Sequence, residues 1–219
     1  MSGSGWRTVL LALLLATPTF AQSGPGNFPL ETRLQILLRP HSVLALDAVT
    51  GGEREEPLGL GERVLSNRTD GRVGFVLTDQ RILAIAVGAG SFQQTRYGRG
   101  ESLTNTPSIG DRVALFVTTQ RVLGFDGGSA NLIETRLGVR ERVLETAVAD
   151  NVAIVLTSRR ALGLSPFRGG FFEVPLGLDE RIASLVATGD VATLTTVQRI
   201  LIFRADTGNW EERQLGLGY

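Results

Sequence analysis

The sequence specifies an all-β protein assembled from a repeated four-stranded unit, and three observations carry that expectation. A segment that opens Leu58-Gly59-Leu60-Gly61-Glu62-Arg63-Val64 returns as Tyr97-Gly98-Arg99-Gly100-Glu101, as Leu137-Gly138-Val139-Arg140-Glu141 and as Leu176-Gly177-Leu178-Asp179-Glu180, in steps of 39, 40 and 39 residues. A second landmark keeps the same register: Thr78-Asp79-Gln80-Arg81, Thr118-Thr119-Gln120-Arg121, Thr157-Ser158-Arg159-Arg160 and Thr196-Val197-Gln198-Arg199. Two landmarks locked in phase mean that one structural unit has been duplicated. Within each unit, turn formers fall about every ten residues, as at Asp70-Gly71, Thr78-Asp79-Gln80, Gly88-Ala89-Gly90 and Tyr97-Gly98, which divides the unit into four short strands.

The strands can be taken in order as a, b, c and d. In the unit from Leu58, strand a covers Glu62 to Thr69, b Val73 to Leu77, c Arg81 to Val87 and d Phe92 to Arg96. Strand b is apolar at every position in Val113-Ala114-Leu115-Phe116-Val117 and Val152-Ala153-Ile154-Val155-Leu156, the pattern of a strand covered on both faces rather than on one. Strand c is nearly as apolar, and strand d is polar, as in Gln93-Gln94-Thr95-Arg96. A sheet buried on both faces in its middle and wet at one edge is a blade stacked between two others. On this repeat length and strand pattern the chain resembles β-propeller proteins across residues 34–219. It lacks both the Trp-Asp endings of one large propeller family and the Trp-rich docking motifs of the quinoproteins, so the resemblance implies a fold and no site.

A shortened copy precedes the four. Leu34 to Leu38 matches strand b, Val43 to Asp47 strand c and Glu53 to Pro57 strand d, with no strand a. The expectation is a five-bladed β-propeller whose blades are 34–57 plus the C-terminus, 58–96, 97–136, 137–175 and 176–214. The chain ends Leu215-Gly216-Leu217-Gly218-Tyr219, the opening of a further copy, so the first blade, incomplete by itself, is expected to be closed by the chain ends. Asn27 to Leu34 also resembles a strand d, and residues 22–33 are read as an N-terminal arm. An outer-membrane β-barrel also fits a signal peptide and the alternating Leu215, Leu217, Tyr219, but its strands run ~9 to 11 residues with apolar-polar alternation, unlike strands b and c.

Residues 1–21 carry Arg7, the apolar run Val9 to Ala16 and small residues at Thr19 and Ala21, a secretory signal peptide. The competing reading is an uncleaved membrane anchor through residues 6–21. No Cys and one His, with no Lys among 22 basic residues balanced by 22 acidic ones, leave neither a disulfide framework nor a nucleic-acid patch. No metal or other cofactor is expected.

Two series of residues recur at fixed positions and form the candidate ring: Glu62, Glu101, Glu141 and Glu180, with Arg81, Arg121, Arg160 and Arg199. The d-to-a links and b-to-c turns of an up-and-down blade share one face, so the two series should meet there. Ion pairs binding the scaffold are the favoured reading, because repetition serves structure and a site breaks symmetry; a ring receiving an anion is the other. The first copy departs from the pattern at Arg39-Pro40-His41-Ser42. His41 has no announced partner for metal or nucleophilic chemistry. Asp79, Asp126, Asp150 and Asp190 sit in turns where Asp is favoured anyway, and Asp126 is expected to be dispensable. The aromatic or apolar residues that open strand d, Phe92, Leu132, Phe171 and Trp210, are expected to pack under the blade edge.

The functional expectation is an exported, non-catalytic protein-interaction or scaffold module, periplasmic or secreted, or an accessory subunit of a membrane-associated complex. The alternative is a carbohydrate-binding or glycoside-hydrolysing propeller with paired carboxylates in its funnel. The partner surface is expected at the seam: Arg39, His41, Leu215, Leu217 and Tyr219.

Overall fold

The computed structural model of the chain describes residues 33–216. The segments read above as leader and, for the most part, as arm lie outside the described residues, as do Leu217 and Tyr219. Five antiparallel sheets follow one another along the chain. The first has three strands, β1 (Leu34–Leu38), β2 (Ser42–Asp47) and β3 (Glu53–Pro57). The second has β4 (Val64–Asp70), β5 (Val73–Thr78), β6 (Arg81–Ala86) and β7 (Gln93–Arg96), and the third β8 (Ser108–Ile109), β9 (Val113–Val117), β10 (Arg121–Asp126) and β11 (Asn131–Arg136). The fourth has β12 (Val143–Val148), β13 (Ala153–Thr157), β14 (Arg160–Ser165) and β15 (Gly170–Pro175), and the fifth β16 (Ile182–Thr188), β17 (Val191–Thr196), β18 (Arg199–Arg204) and β19 (Asn209–Gln214). Strands are paired in chain order throughout, so every sheet is a meander.

Four apolar clusters fill the spaces between consecutive sheets. Leu34, Val43 and Ala45 meet Val76, Leu83 and Ile85 between the first and second. Phe75 and Ile82 meet Phe116 and Phe125 between the second and third, the rings of Phe75 and Phe116 edge to face at 5.1 Å. Val113 and Leu115 meet Val155 and Leu162, and Ile154 and Leu156 meet Leu201 and Phe203. Leu83, Leu123, Leu162 and Leu201, which share one repeat position, are all 0–1% exposed. The fold is a β-propeller, its blades stacked by consecutive pairs. Close approach is written in at Gly163, where a methyl group would stand 2.5 Å from the Phe203 ring.

The backbone repeats a second contact at each junction. The amides of Arg33, Arg72, Arg112 and Asn151 donate to the carbonyls of Gly71, Asp111, Asp150 and Gly189 at 2.8–3.1 Å, each from one blade to the next. Among the described residues no such bond and no apolar cluster joins the fifth sheet to the first, so there the sheets do not close. The fifth sheet shows what this costs. Its β17 reads Val-Ala-Thr-Leu-Thr-Thr and alternates half-buried with buried, whereas β9 and β13 are buried at every position.

One strand departs from expectation. The innermost strand of the third sheet is reduced to Ser108–Ile109, with an isolated bridge from Leu103 to Thr118. Pro107 precedes it; proline donates no ladder hydrogen bond and constrains Thr106 before it. In the second, fourth and fifth sheets the same strand enters through a bulge, at Val64/Ser66, Val143/Glu145 and Ile182/Ser184.

Candidate functional site

The two recurring series do meet, once per four-stranded blade, in the same arrangement. The arginine opens the third strand of its sheet, and the glutamate sits in the link arriving from the preceding sheet. Arg81, Arg121, Arg160 and Arg199 donate through Nε to Oε1 of Glu62, Glu101, Glu141 and Glu180 at 2.7–2.9 Å and through Nη2 to Oε2 at 2.8–3.2 Å. This is a side-on bidentate fork. Nη2 also donates to the carbonyl that ends the preceding sheet, Pro57, Arg96, Arg136 or Pro175, at 2.7–2.9 Å. Nη1 is taken by Glu56 and Gln94, then by Glu134, Glu173 and Glu212.

The glutamates are equally committed. Their Oε2 atoms accept from the link amides of Gly59, Gly98, Gly138 and Gly177 at 2.6–2.8 Å, and Thr118 and Thr157 donate hydroxyl hydrogen bonds to Glu101 and Glu141. Their side chains are only 1–3% exposed. Burial by itself would raise the Glu62 carboxyl, but Arg81, the Gly59 amide and the Thr78 hydroxyl hold it down at about 2. At Glu180 the Arg199 hydrogen bond dominates and the result is again about 2; Glu101 and Glu141 are lowered by the same partners against the same burial. A carboxyl held ionised in this way cannot donate a proton near neutral pH, the opposite of what a glycosidase general acid requires. We call the arrangement a clasp, because one guanidinium grips the end of one blade, the link and the start of the next.

The first sheet lacks it. Ser42 stands where the arginine stands elsewhere, and Glu55, at the repeat position of Glu134, takes hydrogen bonds from Ser42 and from Arg39 Nη1, the latter at 3.1 Å. Arg39 and Glu55 are both about half exposed. His41 is exposed at the hairpin tip, where its carbonyl accepts from the Leu58 amide. Leu215 is bound through its own amide to the Gln198 carbonyl at 2.9 Å, as Leu58, Tyr97, Leu137 and Leu176 are bound at equivalent places. Arg39 and His41 lie together at one hairpin, and Leu215 belongs to the fifth sheet.

The turn aspartates are not alike. Asp126, expected to be dispensable, is 1% exposed and caps its turn by accepting from the amides of Gly128 and Ser129 and the hydroxyl of Ser129. Trp210 is spent on packing: its indole N–H donates to the Phe172 carbonyl at 2.9 Å across a blade junction. Among the described residues no group of three or more His, Cys, Asp or Glu could hold a metal ion.

Sequence reasoning did not single out the tips of the links. Leu60, Val139 and Leu178 are 104%, 83% and 106% exposed, on the face that carries the clasps. The signal was present, since all three occupy one repeat position, with Arg99 as the fourth member.

No protein-family model matches the chain, and no curated protein is significantly similar to it in sequence. Solved structures that match include Hsv2 of Kluyveromyces lactis (9% identity, TM-score 0.36, covering 80% of this chain and 58% of that one). The WD40 domain of SCAP from fission yeast matches at 11% identity and TM-score 0.34, over 86% of this chain and 58% of that one. PorZ, a bacterial surface component of the type-IX secretion system of Porphyromonas gingivalis, matches at 12% identity and TM-score 0.39, over 85% of this chain and 25% of that one. The chain thus spans little more than half the length of Hsv2 and a quarter of PorZ. At such identities and scores the likeness carries no site and no partner.

Proposed function

We propose that the protein is a non-catalytic interaction module, exported by its N-terminal leader, that presents the clasp face to a protein partner. The observation that carries this reading is the row of link tips. Three large apolar side chains stand fully in water at one repeat position, although a polar residue would serve the link equally well. Each sits on a link whose backbone is tied at both ends by the clasp, so little conformational entropy remains to be lost on association. Apolar residues on rigid loops, spread over one face, suit a protein surface better than a small molecule.

The test replaces Leu60, Val139 and Leu178 together by Ser in the mature protein. Capture of a stoichiometric partner from the native envelope should fail for the variant and succeed for the parent, with the same thermal midpoint for both. Equal capture by the two proteins overturns the reading.

A second docking place is favoured by a separate observation. In the first sheet the amide of Arg39 pairs with the Ser42 carbonyl, so by ladder alternation the backbone groups of Leu34, Ile36 and Leu38 point away from β2. Among the described residues no strand lies on that side, and Leu37 and Leu38 are 38% and 48% exposed. A partner strand added there would use the seam that includes Arg39 and His41. If the amides of Leu34 to Leu38 exchange as slowly in the free protein as those of Ala153 to Thr157, that edge is already covered and the seam is not the docking place.

A further inference from the structure

The geometry points to a binding site for an acidic peptide segment in the cleft between the third blade and the link that leads to the fourth, a site that rests on the clasp face being the partner face. The cleft measures about 740 Å³ and is lined by Arg96, Arg136, Arg140, Gln120, Leu137 and Val139, with clasp residues in its floor. Three observations set it apart from the rest of the face.

The repeat is broken here, and always toward positive charge. Arg96 and Arg136 end the fourth strands of the second and third sheets, where the other sheets have Pro57, Pro175 and Gln214. Neither guanidinium has a carboxylate partner among the described residues, and both side chains are exposed. The carboxylates nearest in the lining, Glu101 and Glu141, are already gripped by Arg121 and Arg160 and do not neutralise the newcomers.

The placement is also costly. Arg136 lies directly opposite Arg121 in the β10–β11 ladder, and Arg96 directly opposite Arg81 in β6–β7. Like charges facing each other across strands are destabilising. The equivalent pairs elsewhere are Arg160 with Pro175 and Arg199 with Gln214, which carry no such repulsion.

The third arginine is held in a conformation that its side chain disfavours. Arg140 has φ +63°, and its counterparts in the links to the second and third blades are Gly61 at +75° and Gly100 at +68°. Two glycines show what the turn prefers; an arginine kept in the left-handed region of the same turn is a local cost that points to a use. Its neighbour Val139 presents an apolar side chain at the mouth of the same cleft.

Three unpaired guanidiniums match carboxylates through forked hydrogen bonds. Leu137 and Val139 beside them call for apolar side chains between the acidic ones, which a peptide offers and a free inorganic anion does not. The ligand class is therefore a segment in which Glu or Asp alternates with aliphatic residues.

The probe is a fluorescein-labelled peptide of five alternating Glu-Leu pairs, titrated into the full mature protein and followed by anisotropy, with the Gln-Leu peptide as its neutral twin. The parent should bind the acidic peptide and not the neutral one, and binding should weaken as salt rises. Arg96→Gln with Arg136→Gln should weaken it at least tenfold. Arg140→Gly, which restores the residue that the turn prefers, should weaken it about threefold to tenfold while the protein stays folded. Arg213→Gln, an equal change of charge in the fifth sheet, should leave it within twofold. The proposal is overturned if the parent fails to bind, if Arg213→Gln weakens binding as much as Arg140→Gly, or if millimolar phosphate displaces the peptide completely, which would make the cleft an inorganic-anion site. Leu60→Ser with Leu178→Ser lies outside the cleft and should leave peptide binding intact. Loss of partner capture in that variant, combined with no peptide binding by the parent, would sink the cleft alone and leave the interaction-face reading standing.

Discussion

The blades two to five and the first blade are built from the same repeat, yet they are held by different means. In the later four, a guanidinium buried beside its glutamate ties the last carbonyl of one sheet to the link and to the next sheet. In the first, Glu55 is served by Ser42 and by a half-exposed Arg39, and the carbonyl of no earlier sheet is involved. The comparison teaches that the clasp belongs to the junction and not to the blade: it appears where a described link arrives from a preceding sheet and is missing where none does. A second contrast runs parallel. The second to fourth sheets are packed on both faces, whereas the fifth alternates buried with half-buried positions on its β17 strand.

The largest test of that contrast sets an interior leucine against an end residue. Leu123→Ala, in a strand covered on both sides, should cost about 2–5 kcal/mol, read as a lowered urea midpoint. Ile200→Ala, on the half-covered fifth sheet, should cost about 1 kcal/mol. Equal losses would mean that the outer flank of the fifth sheet is as well packed as the interior.

Next in size is the clasp. Glu141→Gln leaves the Arg160 guanidinium without its buried counter-charge and should cost about 3 kcal/mol, lowering the thermal midpoint by roughly 6–12 °C. Glu55→Gln, in the first sheet that has no clasp glutamate, breaks only the contacts with Ser42 and the half-exposed Arg39 and should lower the midpoint by clearly less. Similar midpoints for the two variants would erase the distinction between clasped and unclasped blades.

Acid unfolding follows with a defined sign. The carboxyls of Glu62 and Glu180 are lowered to about 2 in the folded protein, against about 4.3 in an unfolded chain. Their contribution is complete above the unfolded value and is lost as pH falls through the folded one. Stability should therefore drop between pH of roughly 4.5 and 2, and Glu62→Gln with Glu180→Gln should flatten the fall in that window. An unchanged slope in the variant would assign the acid sensitivity elsewhere.

The smallest expected effect has the opposite sign. Arg140→Gly removes a left-handed non-glycine residue and should stabilise the fold by about 0.5–1 kcal/mol. A destabilised variant would show that the Arg140 side chain supports the link instead of being carried at a cost.

Much of this architecture was legible because a repeat turns a weak signal into a strong one. One apolar pentapeptide such as Val152 to Leu156 is ambiguous, but three at the same phase, each followed by a Thr-headed turn, define a strand and its place in the sheet. The strand limits of the second sheet fall within two residues of those expected for that reason. Pro107 carries a local signal that the repeat pattern does not, and the inner strand of the third sheet is two residues long. The burial of Asp126 could not be read from a turn motif, since Asp caps exposed and buried turns by the same hydrogen bonds. The cleft was hidden differently. Arg96 and Arg136 share one repeat position at the ends of two strands while Arg140 stands at another in a link, and only the folded face brings the three into one lining.

The clasp also gives the molecule a direction in time. The carbonyl that each arginine grips lies 24 or 25 residues earlier in the chain. During synthesis, the outer strand of a blade can pair with its own sheet at once, but it is not locked until the third strand of the following blade has emerged. Each blade is thus finished by its successor, and assembly should proceed from the N-terminal end like a zip whose every tooth is set by the next.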